Sequence, residues 1–359
     1  MTTSSSYHLY IGSYASIDEP GIHLLSYDAK GQDLRIVDRV SGIANPSFLA
    51  PHPDKPILYA ASERFGAPGG VKMYAMDRAS GHLELQNEQP IAEASPCFVA
   101  CDQTGRTLIA ANYAGGRVTS FSLGANGHIG PANDHIAHVG HGPRTDRQEA
   151  PHPHSAIIDH HNRFVLVPDL GIDQIVIYAL DAGRSELRRH GAYVAEAGSG
   201  PRLFAFHPQR IDGRAVGYAI HELDNTIVAF DYDEENGVLE AIQTISTLPD
   251  GFSGRSIAAH LAVSPDGRFL YASNRGHDSI AVYEIKEDGK LRAPDFISSF
   301  GQTPRHFAIT PDGQSLVVAN QDSNNVVVFA IDQVDGLLHP TGEELTIARP
   351  TCVLVAPRI

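Results

Sequence analysis

Apolar residues along this chain come in short runs separated by polar turns, and no segment carries the three- to four-residue stripe of an amphipathic helix. One pattern recurs. A small residue or proline opens an apolar strand, an HP- or PDG-type turn follows, and a second apolar strand ends in small residues. A polar loop and two further strands complete the unit. The best copies are 201–240, 259–291 and 304–338, and weaker ones lie at 46–63, 96–123 and 153–180. Their starts at 46, 96, 153, 201, 259 and 304 have the spacing of β-propeller blades, each of four short strands. A seventh unit is split. TCVLVAP (351–357) reads as a first strand with nothing after it, and YHLYIGSY, GIHLLSYD and LRIVDRV read as three strands without a first. The pattern predicts an all-β protein, a seven-bladed β-propeller over residues 1–359 as one domain, with the closing blade built from both chain termini. The longest break in the repeat is 124–150, between the second and third blades.

Repeat phase also predicts where polar side chains gather. The innermost strand, A, runs to its turn and strand B returns antiparallel, so the start of A and the end of B lie at one end of each blade. Those positions surround one mouth of the central channel. The starts of A carry His154, Arg202, His260 and Arg305; the ends of B carry Glu63, Tyr113, Asp169, Glu222, Arg275 and Gln321. Arginine forks hold carboxylates or phosphates and stabilise a developing oxyanion, while His and Glu move protons near neutral pH. The predicted chemistry is anion handling.

Composition narrows the classes. The net charge of −15 disfavours nucleic acid as a partner. No apolar run is long enough to span a bilayer, and the N-terminus shows neither the basic nor the apolar region of a secretory signal. Three cysteines without a CxxC pattern make no disulfide framework, and a reducing cytoplasm is the default expectation. Eight of the 19 histidines lie between 128 and 161, and His152 and His154 could share one face of an extended segment. No HExxH or Cys/His spacing supports them as metal ligands, so no metal and no cofactor is expected. His160 and His161 fall in the A–B turn and are expected in solvent. GxSxG is absent, and Ser155 reads as a small packing residue, not a nucleophile.

The segments RQEAPHPHSA (147–156), GPRLFAFHP (200–208), HELDNTI (221–227), SPDGRFLYASNRGHDSIAVY (264–283) and TPRHFAITPDGQSLVVANQDSNNVVVF (303–329) resemble the seven-bladed lactonase family. That family includes bacterial propeller-type 6-phosphogluconolactonases and fungal 3-carboxy-cis,cis-muconate cyclases. The resemblance implies a metal-independent site at the channel mouth. Its catalytic residues fall here on His154, Arg202, Glu222 and Arg275, and Arg305 matches a further family position; Arg305, His260 and His152 are the residues expected to bind substrate. Two departures, Leu203 after Arg202 and the pair His260 and Ala262 on the fifth-blade A strand, bear on substrate more than on fold. The expected activity is hydrolysis of an anionic sugar lactone, foremost 6-phospho-D-glucono-1,5-lactone, with His154 as general base assisted by Glu222. A lactone-forming cyclase and a non-catalytic ligand-binding propeller are the alternatives.

Overall fold

The computed structural model describes residues 6–30, 33–64, 66–92 and 95–357. They form seven four-stranded antiparallel sheets. We number the blades from the one that opens at Pro46. Blade 4 shows the plan: strand A is Pro201–Phe206, B Ala215–His221, C Thr226–Asp233 and D Val238–Ser246. Blade 7 takes A from the C-terminal end, Pro350–Pro357, and B to D from Ser6–Ser13, Ile22–Asp28 and Asp33–Val40. Leu9 on its B strand faces both Leu25 and Val355, so the ring closes as the split repeat predicts. Among the described residues no helix is long and apolar enough to cross a membrane.

Burial follows position in the blade. B strands such as Ile57–Ser62, Thr107–Asn112 and Phe164–Asp169 are buried throughout, because neighbouring blades cover both faces of the sheet. D strands form the outer edge, and Glu186–Val194 alternates between covered and exposed positions. Blades are latched to their neighbours through B-strand tyrosines. Tyr10, Tyr59, Tyr218 and Tyr271 donate to the carbonyls of Gly81, Gly127, Gly289 and Gly336, each in the C–D turn of the next blade. These glycines all have positive φ, a conformation other residues adopt with strain.

The feature that builds the site is a bulge repeated around the ring. In blade 4, Pro201 pairs with His221 and Leu203 with Ile220, which leaves Arg202 as an extra residue. The same register shift isolates Ser47, Cys97 and Arg305 in blades 1, 2 and 6. In blade 5 it takes in Ala259 and His260, and in blade 7 Thr351. In blade 3 the bridge Pro153–Asp169 and the pair Ile157–Leu166 leave three residues opposite two, His154 among them. A bulge frees its extra residue from the ladder and re-aims the side chain. Here Ser47, Cys97, His154, Arg202, His260, Arg305 and Thr351, one from each blade, line a single axial cavity.

Two expectations need correction. The break at 124–150 contains the D strand of blade 2, Ile129–Ala137, so the irregular stretch begins only at His138. Strand A of blade 5 begins at Ile257, two residues before the start read from the repeat.

Candidate functional site

The axial cavity has a volume of about 20 Å³, which suits one water molecule and excludes a sugar. Any larger ligand therefore lies above it, at the mouth. There Glu222 is the electrostatic centre. It follows the B strand of blade 4, is 2% exposed, and its backbone N donates to Gly200 O at 2.8 Å. Arg202 Nε donates to its Oε2 at 2.8 Å and Arg275 Nη2 to the same oxygen at 2.6 Å, while Arg147 Nη2 donates to Oε1. Arg202 also donates to Ala259 O, and Arg275 to Ala258 O at 3.1 Å. Burial pushes the Glu222 pKa up, but Arg275, Arg202 and Arg147 together outweigh it and hold the carboxyl well below its ordinary range.

His154 stands apart from this network. Its Nδ1 lies 4.0 Å from Cys97 Sγ and its ring meets Tyr113 edge-on at 5.5 Å, while Nε2 has no hydrogen-bond partner among the described residues. Burial, then the neighbouring Arg202 cation, drives its pKa well below 6.5, so the imidazole is neutral at pH 7. Glu222 makes no hydrogen bond to His154; both its oxygens are taken by arginines. The expected Glu222–His154 assistance therefore reduces to charge alone. Arg305 has no ion pair among the described residues; its guanidinium lies over the Tyr14 ring at 5.2 Å, and Tyr14 Oη donates to Glu63 Oε2 at 3.2 Å.

The other expected residues divide. His260 lines the cavity and packs on His306 with ring centroids 3.8 Å apart. His152 does not line it; its ring stacks flat on Tyr113 at 4.3 Å, with Nδ1 2.9 Å from Tyr113 O and Nε2 3.2 Å from Glu149 Oε1. Asp169 turns from the mouth to brace the 138–156 loop. Its Oδ2 is 2.6 Å from His138 Nδ1, whose Nε2 is 2.7 Å from Tyr178 Oη, and its Oδ1 accepts from His152 N at 2.7 Å. That loop delivers Arg147, a residue not anticipated from the repeat phase. His160 and His161 are exposed. Burial raises the Cys97 thiol pKa to about 12, which removes it as a nucleophile.

Six histidines share one sign of shift. Burial is the first cause in each: His23 and His221 are lowered to about 4, His306 to about 3, His154 and His260 well below 6.5, and His52 is lowered as well. The unfolded chain takes up protons from pH 6.5 downward that the folded chain refuses. Stability from these groups is complete above pH 6.5 and is lost as pH falls through the folded values. The slope is about 1.4 kcal/mol per pH unit for each histidine that stays neutral. Urea unfolding at pH 7, 6, 5 and 4 is expected to show a steep, progressive loss below pH 6.5. A midpoint unchanged between pH 7 and pH 5 would contradict it.

The family described as "Lactonase, 7-bladed beta-propeller" matches residues 8–355. A 6-phosphogluconolactonase of Bacillus subtilis is 35% identical over 297 residues, covering 82% of this chain and 83% of its own. One from Formosa agariphila is 33% identical over 309 residues, covering 83% and 84%. The solved periplasmic gluconolactonase of Pseudomonas aeruginosa superposes with a TM-score of 0.91 at 28% identity, covering 99% of this chain and all of its own. A match running from the first blade strand almost to the last, and relatives this similar over most of both chains, make this chain a member of the seven-bladed β-propeller lactonase family.

Proposed function

We propose that the protein hydrolyses a sugar δ-lactone, foremost 6-phospho-D-glucono-1,5-lactone, to the open-chain aldonate. The observation that carries this reading is a neutral His154 with a free Nε2 on the axis, beside two guanidinium groups, within a lactonase-family ring. Water in the axial cavity attacks the lactone carbonyl carbon, and His154 Nε2 takes its proton. The carbonyl oxygen becomes an oxyanion as the imidazolium forms. Arg305, whose guanidinium has no ion pair among the described residues, faces that charge, with Arg202 beside it. The bond from the carbonyl carbon to the ring oxygen then breaks, His154 returns the proton to that oxygen, and the new carboxylic acid ionises.

The depressed pKa of His154 has a function here. Surrounding cations oppose a lone imidazolium, but protonation coincides with the appearance of an anion, so the local charge stays balanced. Glu222 serves this chemistry as an anchor that packs Arg202, Arg275 and Arg147 together at the mouth. His152 acts by bracing Tyr113. We place the protein in a reducing cytoplasm, a reading supported by its three free thiols.

The test is steady-state lactone hydrolysis with spontaneous hydrolysis subtracted. Wild type is expected to exceed background, and H154A to lower kcat by about 10²–10⁴-fold. The acid limb of kcat/KM is expected below pH 6.5, with a plateau above it, because the base is already neutral there. A wild type that never exceeds background, or H154A at the wild-type rate, would overturn the reading.

A further inference from the structure

The arginines at the centre of the mouth are poorly placed to hold a substrate's own negative group. Arg202, Arg275 and Arg147 all donate to Glu222. A separate cleft of about 680 Å³ opens between blades 7 and 1. Its walls come from loops at the mouth end of these blades, and Arg349, Arg64 and Tyr14 are among its lining residues. Tyr14 joins cleft and channel. The Arg349 guanidinium carbon lies 5.2 Å from the Tyr14 ring centroid, and so does that of Arg305 on the axis side. The two guanidiniums are thus at most twice that distance apart, a span one phosphorylated sugar ring can bridge.

Three further observations mark this cleft. First, among the described residues the guanidiniums of Arg349 and Arg64 make no ion pair and no hydrogen bond. Second, the charge in the cleft is net positive. Its one carboxylate, Glu19, accepts from Ser16 N at 2.9 Å, and burial keeps His23 neutral. Third, Arg349 holds a φ of +45°. The residue just before the strand-A proline also has positive φ in blades 1, 4 and 6, where it is Asn45, Gly200 and Thr303. Gly and Asn adopt this conformation with least strain, and a long cationic side chain gains nothing from it by folding alone.

We propose that Arg349 and Arg64 form a phosphomonoester subsite that selects phosphorylated over unphosphorylated lactones. This rests on the hydrolase reading above. The lactone carbonyl lies over His154 and Arg305, and the phosphate reaches past Tyr14 into the cleft. Guanidinium forks suit a phosphate because two parallel N–H donors meet two of its oxygens.

The experiment compares wild type, R349N and R64Q on 6-phospho-D-glucono-1,5-lactone and D-glucono-1,5-lactone. Asparagine at 349 keeps the left-handed backbone and removes the cation, so R349N is expected to melt no lower than wild type. The ratio of kcat/KM for the phosphorylated over the plain lactone is expected to fall roughly ten- to a hundred-fold in each variant, mainly through KM. A structural lesion would lower both substrates together and leave the ratio unmoved, and that result would overturn the subsite. So would a wild-type ratio at or below one. Calorimetric titration with 6-phosphogluconate separates the two claims. If wild type hydrolyses neither lactone yet binds the phosphosugar in an Arg349-dependent way, the hydrolase reading fails and the subsite stands. If wild type hydrolyses lactones but R349N and R64Q bind the phosphosugar as wild type does, the subsite fails alone.

Discussion

E222Q is expected to lower stability and turnover together. Three guanidiniums converge on this carboxylate, and two of them are nearly enclosed: the side chains of Arg202 and Arg275 are 6% and 10% exposed, and Arg147 is 28% exposed. Glutamine keeps the volume and one acceptor oxygen but removes the one carboxylate that, among the described residues, pairs with these cations. Removing one partner from a buried ionic cluster costs about 3–5 kcal/mol, most of it the penalty on charges left unpaired. Urea unfolding at pH 7 is expected to show a loss of that order. The kinetic effect follows from the same electrostatics. Glu222 raises the pKa of His154, against burial and Arg202, which lower it. Without the carboxylate the imidazole becomes a still weaker base, so kcat falls and the acid limb moves to lower pH. An acid limb that disappears instead of moving would make Glu222 the proton-transferring group. A variant as stable as wild type would show that the three arginines are far better solvated than their burial implies.

Much of this arrangement was legible in the chain because a propeller repeats. Strands A and B carry dense apolar runs between recognisable turns, and repeat phase alone brings His154, Arg202, His260, Arg305, Glu222 and Arg275 to one mouth. D strands are harder to read. Ile129–Ala137 lies on an outer edge and has one fully buried residue at its start, so its sequence, IGPANDHIA, looks like a loop. Arg147 escaped for a different reason. It sits on an irregular loop whose path over the mouth is set by tertiary bonds, among them Gln148 Nε2 to Leu170 O at 2.8 Å and the His138–Asp169 pair. No periodicity reports such a path.

The bulge left a trace that can be read in retrospect. Proline immediately precedes Ser47, Cys97, His154, Arg202, Arg305 and Thr351, in every blade but the fifth. Proline within a sheet is confined to strand starts, edges and bulges, because it lacks the N–H for a ladder bond. A proline at the same phase of successive repeats thus marks the next residue as the one turned to the axis. Phase placed these residues at the mouth, and the bulge explains why they point inward and not into the sheet.

Deleting residues 350–359 is expected to abolish the folded state. The segment supplies the A strand of blade 7, paired with Ser6–Ser13 from Tyr7–Pro357 to Ser13–Pro350. Thr351, Cys352 and Val353 on it are 1–3% exposed, with Val353 in the core shared by blades 6 and 7 and Cys352 in the core of blades 7 and 1. Val353 N also donates to His306 Nδ1 at 3.2 Å, tying the strand to the wall of the axial cavity. Its loss uncovers an apolar edge on Ser6–Ser13 and opens the interface on both sides of the seam, so neighbouring blades lose their contacts in sequence. An exposed, flat, apolar edge strand pairs with other chains, and aggregation is the expected fate of the deletion variant. The measurement is soluble yield, far-ultraviolet circular dichroism and thermal unfolding of the 1–349 protein. A circular permutant that joins residue 359 to residue 1 through a short flexible linker and opens the chain between blades is the companion. It keeps every strand and makes the A–B connection of blade 7 covalent, so it is expected to fold and melt at or above the wild-type temperature. A 1–349 protein that stays soluble with wild-type unfolding would mean that six blades and a three-stranded seventh hold the ring without the C-terminal strand.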